Sequence, residues 1–138
     1  MDKYTDLLNE FQALFEEMIL LEENKRDTVI AHDLLKLEEI MKREQAGIMK
    51  IRGMEQRRLR MQEELGLGNM PFRQILAEVP QETRLLLTPV YRKLETTIAR
   101  FKITNESTSQ VIETALHKLD GKLNQYPLST SGITSRTV

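Results

Sequence analysis

Glu113 and His117 stand four residues apart, the spacing that places two side chains on one helix face. Neither sits in a recognisable site of this 138-residue chain. A di-iron bundle needs paired Glu-x-x-His motifs and further glutamates on facing helices. Here the spacing is one residue longer and occurs once, so the pair reads as an exposed ion pair or hydrogen bond. The other histidine, His32, neighbours Asp33 and reads as a turn residue. With no cysteine there is no disulfide, thiolate zinc site, iron–sulfur cluster or Cys nucleophile. Gly66-Leu67-Gly68 lacks the following Lys and the preceding strand of a phosphate loop, and no Ser/His/Asp set stands out. The expectation is a chain that is not an enzyme and has no catalytic residue, cofactor or metal site.

The remaining charge is organised differently. Lys50, Arg52, Arg57, Arg58 and Arg60 put five positive charges into eleven residues, opposed by Glu55. A nucleic-acid reader would add excess charge elsewhere, yet the net charge is −1 and the first segment is acidic at Asp2, Asp6, Glu10, Glu16, Glu17, Glu22 and Glu23. The run is therefore expected to pair with the acidic first helix and to bind no nucleic acid. No apolar run approaches the roughly 18 residues of a membrane span, and the acidic start shows no secretory signal. Membrane insertion is not expected, and a cytoplasmic location is.

The elements that carry these residues follow from spacing. Tyr4, Leu7, Phe11, Leu14, Met18 and Leu21 step by 3 and 4, a coiled-coil seam, widened by Leu8, Phe15 and Ile19. A second segment opens at Asp33, a candidate N-cap, with a looser apolar face at Leu34, Leu37, Met41, Ile48, Ile51, Leu59 and Leu65, and Ile40, Met49, Met54 and Met61 beside it. Gly47 and Gly53 either admit close helix approach or are tolerated surface glycines. Gly66 suits a left-handed helix stop and Pro71 a helix first turn. Phe72, Ile75, Leu76 and Val79 mark a short amphipathic helix. The last segment repeats the seam at Leu87, Tyr91, Leu94, Ile98, Phe101, Asn105, Thr108, Ile112, Ala115 and Leu119, with a bend expected near Leu85–Pro89.

The fold class is all-α. The expected architecture is an elongated antiparallel three-helix bundle or coiled coil with a short extra helix before the third long one. Helices are expected at about 3–29, 33–65, 72–79 and 81–125, forming one helical domain over 1–126. Residues 127–138, rich in Ser and Thr, are expected to be a flexible tail. At 1.5 Å per residue the long segments span roughly 35, 50 and 65 Å, so they do not cover one another fully.

That mismatch singles out Val111, Ile112, Ala115, Leu116, Leu119 and Leu123. They form an amphipathic stripe that marks a binding surface if exposed; the alternative is packing against the start of helix two or the short helix. Asn105 and Thr108 interrupt the seam before the stripe. They either fix register or mark a wetter part of the bundle.

The order of parts resembles the FlgN family, the flagellar export chaperones of the hook-associated proteins. The resemblance runs from the first segment to Leu123. It comprises Asp33-Leu34-Leu35-Lys36-Leu37 opening helix two, basic residues around Arg57-Arg58, the Gly66-Leu67-Gly68 break, and Val79-Pro80 before Arg84. Its most telling piece is Asn105-x-x-Thr108-x-x-Val111-Ile112-x-x-Ala115-Leu116, similar to the family's Asn-x-x-Asn-x-x-Leu-Leu-x-x-Ser-Leu. Thr108 departs from the second Asn and Ala115 from the Ser, which leaves open a sister chaperone of another flagellar substrate. The resemblance implies a cytoplasmic chaperone without ATPase activity that holds helical terminal segments of the hook–filament junction proteins and delivers them to the type III export apparatus. On that reading the stripe from Val111 to Leu123 is the client site, and Tyr126 is a candidate docking residue for the export gate, the alternative being local packing at the helix end. Two other classes stay open: a coiled-coil scaffold that self-associates, and with it a weak homo-oligomer, and a nucleic-acid-associated helical protein that would use the Arg57–Arg60 face.

Overall fold

The computed structural model describes residues 1–120; for residues 112, 113 and 115–120 the description is of the helical backbone alone. Among these residues there are four helices and no strand: α1 (Asp2–Ile30), α2 (Leu34–Glu64), α3 (Phe72–Glu78) and α4 (Gln81–Asp120). The fold is an all-α bundle.

The joints are set by a few residues. At the end of α1 the His32 N–H donates to the Val29 carbonyl (3.1 Å) and the Asp33 N–H to that of Thr28 (3.2 Å). This pair of bonds closes a helix over a left-handed residue, and His32 takes that conformation at φ 58. The Asp33 carboxylate then accepts the Lys36 N–H at 3.2 Å, the N-cap the sequence predicts. α2 ends on the same motif: Gly66 N–H to Glu63 (3.0 Å), Leu67 N–H to Gln62 (2.8 Å), with Gly66 at φ 75. Pro71 is the extended N-cap of α3 and not part of its first turn. Val79, held extended by the following Pro80, ends α3. The Arg84 guanidinium donates to the Leu76 and Val79 carbonyls at 2.7 and 3.3 Å, satisfying backbone acceptors that the end of α3 exposes. α4 is helical from Gln81 through Pro89.

The chain forms two compact units: Met1–Glu17 with Ala46–Ala99, and Met18–Gln45 with the described residues from Arg100 on. In the first unit, Tyr4, Leu7, Leu8, Phe11, Leu14 and Phe15 of α1 are buried, as their spacing predicts. Ile75 and Val79, at the short third helix, and Leu87, Tyr91 and Leu94 of α4 complete this core. Tyr4 meets Tyr91 and Gln12 meets Thr97, so α1 and α4 run parallel; α2 runs antiparallel to α1, with Gln62 against Tyr4 and Lys50 at the level of Glu17.

A polar network closes this unit. Tyr4 donates its hydroxyl proton to Gln62 Oε1 at 2.8 Å, so the 2.7 Å contact between Tyr4 and Tyr91 has Tyr91 as donor. Burial, and then this bond to Tyr4, push the Tyr91 phenol well above its ordinary range. Arg58 also donates to Gln62 Oε1, and Gln62 Nε2 donates to the Gly68 carbonyl at 2.8 Å. Arg58 pairs with Glu55 and lies 5.3 Å from the centre of the Phe72 ring, which stacks on Tyr91 at 4.0 Å. Fully buried Gln62 thus joins α1, α2 and the loop before α3.

The second unit has a polar interior. Met18, Ile19 and Ile40 are buried, and so are Glu22, Lys25, Thr28, Glu44 and Thr108. Two expectations need correction here. Glu22, counted among the acidic residues on the face of the first segment opposite the seam, is 0% exposed. It lies four residues beyond Met18 and three before Lys25, so the inward line of α1 continues through polar residues. In the second segment, Leu34 of α2 and Leu65 just past its end were expected to face inward and are exposed, as is Met49. The inward line of α2 instead contains Ile40, Glu44, Arg58 and Gln62 among half-buried aliphatics.

Candidate functional site

The stripe expected to bind a partner lies on the last turns of α4. Asn105 is half-buried and Thr108 fully buried. Thr108 Oγ1 lies 2.9 Å from the Thr104 carbonyl and 3.2 Å from the Glu22 carbonyl. A hydroxyl has one proton, so the two acceptors share it, and the Glu22 contact ties α4 to α1. Val111, one turn on, is half-buried. Ile112, Ala115, Leu116 and Leu119 are on the helical backbone with side chains outside the description, as are Glu113 and His117; Leu123, Tyr126 and the expected tail lie outside the described residues.

Backbone register places the stripe. Thr108 faces Glu22, an offset of 86 residues along parallel helices. Carried to the end of α1, that offset sets Ile30 level with position 116. From position 117 to Asp120 α4 extends beyond the last residue of α1. At this end of the second unit, Ile30, Leu34 and Leu35 are 63%, 75% and 82% exposed. The doublet Leu34-Leu35 carried part of the sequence resemblance; Leu34, read as part of the apolar face of the second segment, is exposed together with its neighbour.

At the level of Asn105 and Thr108 sits a charged cluster. Lys25 Nζ contacts both carboxylate oxygens of Glu44, at 3.0 and 3.1 Å, with both side chains buried. The neighbouring Glu22 carboxyl has no hydrogen-bond partner on either oxygen. Its pKa is pushed up to about 8, first by burial and then by the Glu44 carboxylate; Lys25 and the Asn105 amide oppose the shift. Glu22 therefore holds a proton at neutral pH. This cluster was missed by pattern reading, which takes charged residues as solvent-facing. The available signal was the unbroken 4-then-3 step from Met18 to Glu22 to Lys25.

The basic run does not form the expected ion pairs with α1. Arg58 turns inward to Glu55 of its own helix, while Lys50, Arg52, Arg57 and Arg60 are exposed. The ion pair that joins α1 to α2 is Lys25–Glu44. His32 is the turn residue the sequence suggests. Among the described residues, no three His, Cys, Asp or Glu side chains come together to hold a metal ion, and no helix is long and apolar enough to cross a membrane.

A search of curated proteins and a search of solved structures each find no match. A family model described as FlgN protein matches residues 1–125. The chain therefore belongs to the FlgN family of flagellar export chaperones.

Proposed function

We propose that this protein is a non-enzymatic, cytoplasmic chaperone that holds helical terminal segments of hook-associated proteins and delivers them to the type III export apparatus. The client helix lies along Val111, Ile112, Ala115, Leu116, Leu119 and Leu123. The observation that carries this reading is the register of α4 in the second unit. Its backbone passes the end of α1 near position 116, where Ile30, Leu34 and Leu35 already expose aliphatic surface. An amphipathic helix laid there would remove apolar surface from water, each fully buried Leu or Ile contributing about 1.5–3 kcal/mol before ordering costs. Asn105 and Thr108 form the polar border of the site. Tyr126 docks the export gate after the client is loaded. Neither nucleic acid nor membrane insertion has a part in this scheme.

The test is Leu116→Asp with Leu119→Asp. Binding of a terminal helical segment from a hook-associated protein, followed by titration calorimetry, should be lost while the circular dichroism of the free protein is unchanged. Unfolding of the free double variant would make the stripe ordinary core and place the client elsewhere. For Tyr126→Ala, client binding should persist and binding to the export gate should fall; unchanged gate binding and export would remove Tyr126 from the scheme.

A further inference from the structure

In the second unit Glu22 meets α4 in two ways. Its backbone carbonyl accepts from Thr108 Oγ1 at 3.2 Å. Its carboxyl is buried, with no hydrogen bond on either oxygen among the described residues. Three groups face that carboxyl, one from each packed helix. Lys25 on α1 has its ammonium on Glu44, at 3.0 and 3.1 Å. Glu44 on α2 is a second buried carboxylate, and Asn105 on α4 carries no charge. Of the other charged groups on these stretches, Lys42 and Arg43 of α2 and Lys102 and Glu106 of α4 are exposed, and Glu23 and Arg26 of α1 are half-buried. The buried cluster therefore has one cation and two carboxyls.

With Glu22 protonated, Lys25 and Glu44 cancel and the cluster is neutral. With Glu22 ionised, one ammonium faces two carboxylates, and the surplus negative charge has neither a hydrogen bond nor water. One of the packed helices must then give way. α1 and α2 are joined by the buried Lys25–Glu44 pair. At Glu22, α4 is held by a hydroxyl that already divides its proton between the Glu22 carbonyl and the Thr104 carbonyl of its own helix, 2.9 Å away. When α4 moves off, Thr108 keeps the Thr104 bond, so this fastening is the weaker one. The residues around it, Asn105, Ser107 and Val111, are only half-buried.

We infer that the Glu22 carboxyl is a proton-operated latch on α4: its acid form lets the turns from Asn105 onward lie against α1, and its ionisation admits water and frees them. Burial, and then the Glu44 carboxylate, raise its pKa from 4.5 to about 8 while α4 is closed. With α4 off, water returns to the carboxyl and its pKa falls back toward the ordinary value. Between these values the closed form holds a proton that the open form has released. The open population therefore rises with pH, up to about tenfold per unit, and levels off above about pH 8. Freed turns also fray, since isolated helices of about 15 residues are marginal in water. An alkaline shift thus loosens α4 just before Val111, and a neutral or acid one fastens it. This inference does not depend on the chaperone reading.

The experiment is amide hydrogen exchange of the full chain from about pH 6 to about pH 8, with rates expressed as protection factors so that the intrinsic pH dependence of exchange cancels. Across that range the protection of amides 105–111 should fall about tenfold or more. The fall should be smaller in residues 18–30 and 34–45 of the same unit and smallest in residues 4–15 and 87–94 of the first. Glu22→Gln keeps the shape of the side chain and does not ionise. In that variant the protection of amides 105–111 should stay level across the range. A uniform fall through both units would make Glu22 a determinant of global stability and no latch. A fall confined to residues 18–45 would mean that α1 and α2 separate first. A fall in amides 105–111 that persists in Glu22→Gln would place the titrating group elsewhere. Each of these results would overturn the inference, and the first two are read on the wild type alone, whatever the stability of the variant.

Discussion

The two units handle buried polarity in opposite ways. In the first, every polar group of the Tyr4–Gln62–Tyr91–Arg58 network has a partner, and Gln62 uses both ends of its amide. In the second, Lys25 and Glu44 satisfy each other while Glu22, equally buried, has no hydrogen bond. A completed network rigidifies the element that carries it; an incomplete one places an uncompensated cost at that point. The incomplete network lies where α4 is fastened through Thr108 to the backbone of Glu22, one turn before Val111. Local stability is therefore expected to be lower in the unit that carries the proposed client site, which suits a surface that must accept and release a helix.

The hardest blow to that arrangement is Lys25→Met. It keeps most of the apolar stem and leaves Glu44 buried without its cation, next to a second carboxyl. Removing one partner of a buried pair costs about 3–5 kcal/mol. Urea denaturation should show a loss of that size, and hydrogen exchange should accelerate more in residues 18–45 and 100–111 than in the first unit. Equal acceleration in both would mean that the cluster stabilises the whole molecule and not one unit.

A change of pH acts on the same place more gently. The Glu22 pKa is about 8 in the folded protein against an ordinary value of 4.5. Between these values the unfolded chain has released the proton and the folded one still holds it. The associated stability is complete below pH 4.5, declines as pH rises, and is gone above about pH 8. From pH 5.5 to 8.5 the loss is on the order of 3 kcal/mol. Glu22→Gln should flatten the profile and make the protein more stable than wild type at pH 8.5. An unchanged slope would show that another group carries the titration.

How much of this could be read from the chain depends on which residues fill the heptads. In α1 the seam from Tyr4 to Met18 is aliphatic and aromatic, and the burial follows it residue by residue. The joint at Asp33 and the stop at Gly66 were also legible, because capping and positive φ favour particular residue types. In α2 the apolar residues misled, because Glu44, Arg58 and Gln62 occupy inward positions while Leu34 and Met49 face out. A polar residue on a seam is not separable from a surface one until its partner is known. Gln62 needed Tyr4 of a different helix, and Lys25 needed Glu44. The stripe on α4 was legible as a pattern, but the aliphatic end at Ile30, Leu34 and Leu35 required the register between α1 and α4.

Gln62→Ala tests the completed network. The Gly68 carbonyl loses its donor, and Tyr4 and Arg58 each lose an acceptor while keeping Tyr91 and Glu55. The retained partners limit the loss to about 2 kcal/mol. Gln62→Glu should cost less, since a carboxylate still accepts from Tyr4 and Arg58 and fails only toward Gly68. Thermal melts of both variants decide it; if Gln62→Glu is the more damaging, the bond to Gly68 is the one that matters.

The smallest effect separates two copies of one motif. α1 and α2 both end on a left-handed residue with the same pair of backbone hydrogen bonds, but α1 uses His32 and α2 uses Gly66. A non-glycine residue in that conformation costs roughly 1–2 kcal/mol, part of which glycine gives back through the entropy it loses on folding. His32→Gly should therefore stabilise the protein by about 0.5–1 kcal/mol. Gly66→Ala should destabilise it by a similar amount, and because a Cβ at Gly66 meets nothing within 4 Å, that loss is one of backbone conformation alone. Opposite signs in matched urea titrations are the expected result. If His32→Gly destabilises, the imidazole is making an interaction at the turn that outweighs its backbone cost, and the helix end beside the proposed client site is held by more than its capping bonds.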